Sequence, residues 1–287
     1  MRVHTDCIPC FLRQALQAAR FATDREDLHE KALRAVLAVI SESSWTESAS
    51  EIGVRVHATV MDIVGCDDPY KDEKRKSNET VLAMYEELRH SIEIAEDSLD
   101  RAILYAIAGN VMDYGAKKTF DILETLKHIE NKHFNIDDSS RLKNDLLTAR
   151  RIAYLADNAG EIVFDRLFIE TVDRICGKKQ WRLFVKERPI LNDATMEEAI
   201  QAGFAGVDSV TLDVVGLDRV RDQRCEAGFR DMLSAFDVVI AKGQGNYEAM
   251  NDAAGMNLYH LLMIKCPLVA RTVGAHTGDI VVMRAEP

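Results

Sequence analysis

The side chains best suited to chemistry lie in three short segments in the second half of the chain. Asp157 and Asn158 are adjacent, Asp193 follows further along, and Lys242 begins the third segment. The first three offer only oxygen ligands, which suits a hard divalent cation such as Mg²⁺ or Mn²⁺ better than sulfur-bound zinc. Asp and Asn are also ordinary helix N-caps, so each residue alone has a structural explanation. Three such polar segments together favour a metal site.

The segment that begins at Lys242 is rich in glycine and reads Lys242-Gly243-Gln244-Gly245-Asn246-Tyr247-Glu248. A lysine beside glycines suits a phosphate group, because glycine lets backbone N–H groups approach an anion closely. This pattern is weak by itself, but beside a metal site it indicates phosphate chemistry. Glu161 follows the first segment, where it is either a base or partner of a ligand, or only a favourable acid in a first helical turn.

These segments need a scaffold, and the pattern of apolar residues indicates a mostly parallel sheet. After about residue 150, short apolar runs alternate with helical spacing, which implies parallel strands joined by right-handed crossovers. Ligands of open α/β sheets bind at the carboxyl ends of strands, where Asp157 and Lys242 fall. The second predicted strand ends close to Lys186. The predicted strands are residues 152–156, 181–185, 207–212, 238–241, 268–273 and 280–283.

The first half of the chain shows helical patterns and no strand pattern before residue 150. Capping boxes are predicted at residues 23–26 and 48–51, with Gly65 as a helix stop. The charge run at 71–79 is expected to be a solvated helix face. We therefore predict a helical domain over residues 1–115 and an α/β domain over 116–287, with the boundary between about 100 and 150.

Length and charge exclude several classes of protein. The chain has 287 residues, of which 47% are hydrophobic, so it can bury a large core without staples. Its net charge of −11 opposes general binding to nucleic acids or anionic membranes. No uncharged apolar run approaches the ~18 residues of a membrane helix, and the N-terminus lacks the apolar core of a signal peptide. We expect a cytoplasmic protein.

Cys7-Ile8-Pro9-Cys10 is the one motif among the six cysteines. A structural zinc usually needs four ligands, so His4 or Cys66 would have to complete the site. Pro9 suits a first helical turn, which would place both thiols at the positive end of a helix and lower their pKa. A second metal site, a redox pair and a purely structural role all remain open for Cys7 and Cys10.

Five motifs resemble those of the metal-dependent damage-control phosphatases, whose domain is also described as acidic-residue-methyltransferase-like. The likeness spans nearly the whole chain, and the CxxC start matches the smaller microbial branch. It implies a helical domain packed on a three-layer α/β/α domain with a Rossmann-like sheet. The motifs are Asp6-Cys7-x-x-Cys10, Gly109-Asn110-Val111-Met112-Asp113, Asp157-Asn158-Ala159-Gly160-Glu161, Asn192-Asp193-Ala194-Thr195 and Lys242-Gly243-Gln244-Gly245-Asn246-Tyr247-Glu248.

The resemblance also implies the roles of individual residues. Asp157, Asn158 and Asp193 would hold a divalent cation, which would be Mg, Mn, Co or Ni, and Lys242 would contact the phosphate. Asn110 and Asp113 follow a predicted helix and would face the metal across the cleft, unless Gly109 and Asn110 are only helix terminators. Asn246 is assigned to the substrate site with them.

The expected activity is metal-dependent hydrolysis of small phosphorylated metabolites, such as sugar phosphates or damaged phosphometabolites. Asp157 or Asp193 would orient or deprotonate the water, or one of them would attack phosphorus directly; the sequence leaves this open. One alternative is an S-adenosylmethionine-dependent carboxyl methyltransferase, although the first strand lacks the glycine fingerprint of such pockets. Another is a non-catalytic protein that binds metal or phosphometabolites. The oligomeric state is left open.

Overall fold

A computed structural model describes residues 1–109, 126, 129, 133–216, 223–251, 253 and 255–285. The described residues form a seven-stranded sheet with helices packed on both faces. Alternate residues of the central strands enter different cores, with Tyr154 on one face and Ala153 on the other. The predicted α/β class with a mostly parallel sheet is confirmed.

Seven strands and twelve α-helices are found among the described residues. The strands are β1 Ile136–Asp137, β2 Arg151–Leu155, β3 Gln180–Lys186, β4 Val210–Val215, β5 Val238–Lys242, β6 Leu258–Met263 and β7 Ile280–Arg284. The helices are α1 Cys7–Ala22, α2 Glu26–Glu42, α3 Ala49–Val64, α4 Lys71–Leu82, α5 Tyr85–Glu93, α6 Ser98–Ala108, α7 Ser139–Thr148, α8 Glu161–Cys176, α9 Met196–Gln201, α10 Gln223–Leu233, α11 Gly243–Met250 and α12 Pro267–Val273.

The strands lie in the order β1-β7-β6-β5-β2-β3-β4. All neighbouring pairs are parallel except β6 and β7. From β2 the chain moves outward through β3 and β4, and then returns to place β5 on the other side of β2. The carboxyl ends of β2 and β5 therefore flank the point where the strand order reverses, which is where open α/β sheets bind ligands.

The helices of the first half divide between two cores. Helices α1 to α3 enclose a separate apolar cluster that includes Phe11, Val36 and Val56. Helices α4 to α6 instead share the main core with the sheet, where Ile103 of α6 and Phe164 of α8 are both buried. The predicted division between residues 115 and 116 lies outside the described residues, so it stays a prediction.

Several predicted elements are wrong, and each has a local cause. Residues 268–273 lie in α12, because Pro267 occupies its first turn and fixes a helical start after Cys266. Strand β6 and the two-residue β1 were not predicted, and the third predicted strand, 207–212, is shifted to 210–215. The box at 23–26 does not form, because α2 begins at Glu26 without a side-chain cap. The box at 48–51 and the left-handed stop at Gly65 are confirmed.

The charge run of α4 is not a solvated face throughout. Lys74 is buried and forms ion pairs with Asp68 at 2.7 Å and Glu198 at 3.1 Å. Asn78 is also buried, and its amide nitrogen donates to the backbone oxygen of Glu198. Hence α4 is fixed to α9 by buried polar contacts that its highly charged sequence conceals.

Candidate metal and phosphate site

A short backbone ladder brings Asp157 and Asn158 beside Asp193. The Ala194 N–H donates to the Asp157 carbonyl at 2.8 Å, and the Ala159 N–H donates to the Asn192 carbonyl at 2.9 Å. Asn158 and Asp193 face each other as an antiparallel bridge. The three predicted metal ligands therefore meet beyond the carboxyl end of β2, next to β5.

Two glycines make this arrangement possible. Gly160 has a φ of +79° at the start of α8, and its N–H donates to the Asn78 side-chain oxygen at 2.6 Å. Gly243 has a φ of +73°, and a Cβ built there would lie 1.9 Å from Oδ2 of Asp157. The backbone immediately after β5 thus approaches the Asp157 carboxylate so closely that only glycine fits.

The loop before Asp193 carries backbone strain. Leu191 has a φ of +47°, an uncommon conformation for a residue with a branched side chain. Its side chain packs against the apolar cluster of α1 to α3. The helical layer therefore helps to hold this loop in a conformation that the leucine would otherwise avoid.

The amide of Asn158 joins the carboxylates. Its nitrogen donates to Oδ2 of Asp157 at 2.6 Å and to Oε2 of Glu161 at 3.1 Å. The amide oxygen is therefore the Asn158 atom that remains to bind a cation. Asp157 and Asn158 are almost buried and Glu161 is fully buried, whereas the Asp193 side chain is 16% exposed.

Lys242 lies below this group and not at its rim. The fully buried ammonium donates to Glu161 at 2.8 Å, Asp165 at 2.6 Å and the Ala106 carbonyl at 2.7 Å. Tyr154 donates to the same Asp165 oxygen at 2.7 Å. Since an ammonium has three hydrogens, all of them are engaged within the protein. This placement differs from the expected phosphate contact.

Asn246 braces the two central strands. Its amide nitrogen donates to the carbonyls of Ala156 at 3.1 Å and Lys242 at 2.8 Å, which lie at the ends of β2 and β5. Its side-chain oxygen accepts from the ammonium of Lys186 at 3.5 Å. Asn246 therefore lies at the site, with both amide hydrogens used by the scaffold.

Crowding of acids perturbs their ionisation. Burial, the largest cause, and the neighbouring charges of Glu161 and Asp193 together raise the pKa of Asp157 to about 8, against the opposing effect of Lys186. Burial also raises the pKa of Asp193, again opposed by Lys186. Burial raises the pKa of Asp165 to about 6, although Lys242 favours its charged form. Added positive charge would relieve this repulsion.

The donor set fits a divalent cation in charge and chemistry. Among the residues described, no group of three or more His, Cys, Asp or Glu side chains could hold a metal, so the set is two carboxylates and one amide. With all groups ionised, the four carboxylates Asp157, Glu161, Asp165 and Asp193 exceed the two ammonium groups Lys186 and Lys242 by two charges. A divalent cation would neutralise this excess.

Cys7 and Cys10 are free thiols at the start of α1. Burial raises the pKa of both, and the nearby Cys266 raises it further, opposite to the lowered pKa expected for a helix start. In the described part of the chain, no cysteine-containing group forms a metal site. The thiol near the pair is thus Cys266, which the sequence did not indicate.

Two of the predicted site residues, Asn110 and Asp113, lie outside the described residues. Asn78, Asp165 and Lys186 are at the site but were not predicted as site residues. Of these, only Lys186 had a clear signal, since it lies at the end of a predicted strand.

None of the helices described is long and apolar enough to cross a membrane.

Comparisons with known proteins agree along the whole chain. Residues 3–281 match the family model of the damage-control phosphatase ARMT1-like domain. An uncharacterized protein of Methanocaldococcus jannaschii, MJ0202, is 34% identical, with 99% of this chain and 96% of the relative covered. A damage-control phosphatase of Archaeoglobus fulgidus is 30% identical over the full length of both chains.

A solved structure is also similar throughout. The crystal structure of a DUF89 family protein from Pyrococcus horikoshii, PH1575, superimposes with a TM-score of 0.87 at 28% identity and covers 100% of both chains. In a sequence comparison, PH1575 is named a damage-control phosphatase and is 29% identical over 99% of this chain and 98% of its own. The resemblance seen in the sequence motifs is confirmed: the chain belongs to the damage-control phosphatase ARMT1-like family.

Proposed function

We propose that this chain is a metal-dependent phosphatase that hydrolyses small phosphorylated metabolites. The observation that carries the proposal is the backbone ladder that joins Asp157 and Asn158 to Asp193 at the reversal point of the sheet. Its relatives from Archaeoglobus fulgidus and Pyrococcus horikoshii, named damage-control phosphatases, support the same reaction class.

The proposed ligands are one oxygen each from Asp157, Asn158 and Asp193. Oxygen donors favour Mg²⁺, Mn²⁺ or a similar hard cation, and the excess of two negative charges among the ionised groups of the site supports a divalent one. When bound, such a cation supplies Lewis-acid polarisation of a phosphoryl oxygen. We include Mg²⁺, Mn²⁺, Co²⁺ and Ni²⁺ in the proposal, because the donor set does not distinguish them.

We assign different roles in the reaction to the acidic side chains of the site. Asp193 is the more exposed of the two ligand carboxylates, so we assign it to orient the attacking water. Glu161 is fully buried between Lys242 and Asn158, which suits a positioning residue better than a general base. It accepts from the Asn158 amide nitrogen, which would leave the amide oxygen available to hold the cation.

The test measures phosphate release from a panel of sugar phosphates and other phosphometabolites. Metal-stripped protein is assayed alone and with Mg²⁺, Mn²⁺, Co²⁺ or Ni²⁺. Asp157→Asn and Asp193→Asn should each lose at least about 100-fold in turnover while staying folded, since preorganised charge is usually worth that much. Asp208→Asn is the matched control, because Asp208 is exposed and outside the site.

Each other outcome refutes a defined part of the proposal. Near-normal turnover in a folded Asp157 or Asp193 variant would refute the ligand assignment. Full turnover in metal-stripped protein would refute metal dependence. Methyl transfer from labelled S-adenosylmethionine without phosphate release would identify a methyltransferase, and metal-dependent binding without turnover would identify a binding protein.

A further inference from the structure

Lys186 places a second ammonium group at the site, at the carboxyl end of β3. Its Nζ lies 3.4 Å from Oδ2 of Asp193 and 3.5 Å from Oδ1 of Asn246. Its side chain is 13% exposed, similar to the 16% of Asp193. Both contacts are longer than the usual 2.7–2.9 Å of a charge-assisted hydrogen bond. The ammonium is therefore held near the ligands without being tightly bound.

The ammonium of Lys242, in contrast, is tightly bound and fully buried. Its three hydrogen bonds are 2.6–2.8 Å long, and its side chain has no exposure to solvent. An incoming phosphoryl oxygen would have to displace Glu161, Asp165 or the Ala106 carbonyl, each of which would then be left buried without its partner. That exchange is costly, because unpaired buried polar groups keep their full desolvation penalty. Lys242 is better suited to hold Glu161 than to bind substrate.

An acidic site that accepts a phosphate dianion needs a cation close to its opening. Lys186 meets this need by its position, because its ammonium lies 3.4 Å from Oδ2 of Asp193 and both side chains are partly exposed. The exposed Lys265 follows β6, and its positive charge favours the ionised form of Asp157. Lys186 ends β3 and Lys265 follows β6, and these two strands flank the β2–β5 pair on opposite sides.

We infer that Lys186, and not Lys242, is the side chain that binds the phosphoryl group of the substrate. The inference rests on the proposed phosphatase function and names the cation in its site. The ammonium donates a hydrogen bond to a nonbridging phosphoryl oxygen and transfers no proton. It neutralises charge that the acids would otherwise repel, and Lys242 stays below as the counter-charge of Glu161 and Asp165.

The test separates binding of phosphate from binding of metal. Inorganic phosphate is titrated calorimetrically into Mn²⁺-loaded wild type, Lys186→Met, Lys186→Arg and the control Lys71→Met, whose lysine is 62% exposed on α4. Lys186→Met should weaken phosphate binding on the order of 10- to 100-fold, the usual range for a lost charged hydrogen bond. Lys186→Arg should recover most of it, and Lys71→Met should match wild type.

A separate titration of metal-stripped protein with Mn²⁺ at pH 8.5 distinguishes a phosphate contact from a structural ion pair. Removing a positive charge beside Asp193 should leave Mn²⁺ affinity unchanged or make it tighter. A folded Lys186→Met variant with wild-type phosphate affinity, or one whose only defect is weaker Mn²⁺ binding, would overturn the inference. Wild type that binds no phosphate with Mn²⁺ and releases none from any substrate would instead refute the proposed function.

Discussion

Gly243→Ala should displace Asp157, and Gly274→Ala provides an unusually close control. Both glycines have a φ of +73°, so alanine pays the cost of a left-handed φ, about 1–2 kcal/mol, at either position. No atom lies within 4 Å of a Cβ at Gly274, whereas a Cβ at Gly243 lies 1.9 Å from Oδ2 and 2.2 Å from Cγ of Asp157. The difference between the two variants therefore isolates the collision with the carboxylate.

The size of the effect follows from these distances. Real Cβ atoms essentially never approach a neighbour closer than 3.0 Å, so Oδ2 of Asp157 must retreat by about 1 Å or more. A displacement of that size at a reacting centre costs on the order of 100-fold in rate. Crowding in a well-packed region adds about 1–3 kcal/mol of lost stability in Gly243→Ala, beyond the loss shared with Gly274→Ala.

The assay compares chemical denaturation, Mn²⁺ affinity and phosphate release in the two variants. We expect both to lose stability, and only Gly243→Ala to lose about 100-fold in turnover together with metal affinity. If folded Gly243→Ala keeps turnover and Mn²⁺ affinity within threefold of Gly274→Ala, the position of the Asp157 carboxylate does not control the chemistry. The ligand assignment would then be wrong.

Two further predictions concern proton binding and the cysteine pair. Because the pKa of Asp157 is raised to about 8, a cation must displace a proton below that pH, and Mn²⁺ affinity should fall by up to about tenfold per pH unit from 8 to 6. Calorimetry in buffers of different ionisation enthalpy should show proton release at pH 7, and a flat affinity profile would contradict the prediction. Cys7→Ser with Cys10→Ser should lower the melting temperature by a few degrees and keep turnover, since the buried Cys7 packs in the α1–α3 cluster. A folded double variant without turnover would place the thiols in the reaction.

The sequence indicated where part of the candidate site lies, because two of its residues follow from the ends of strands. Asp157 and Lys242 were placed at the carboxyl edge by the alternation of strands and helices alone, and the structure has both at the β2–β5 junction. Neither residue's surroundings could be inferred in this way. The burial of Lys242 depends on Glu161 and Asp165, which lie 81 and 77 positions away in the chain.

The prediction from sequence was wrong where contacts with distant residues override the local composition. The charges around Asn78 predicted a solvated helix, yet its oxygen accepts from Gly160, 82 positions away. Strand β6 was missed because Tyr259 and His260 interrupt its apolar run, although both are buried in the sheet. In each case the deciding partner comes from another part of the fold, so no window of the sequence contains it.

The buried contacts between helices and sheet limit how this architecture can be rearranged by recombination. Residues 133–285 would retain all seven strands found among the described residues, but Lys242 would lose its acceptor at Ala106 and Gly160 would lose Asn78. Glu198 would lose Lys74, and Leu191 would lose the apolar cluster on which it packs. The sheet half is therefore not an exchangeable module. Transplanting it onto another helical layer would carry over the ligand residues but leave their supports behind.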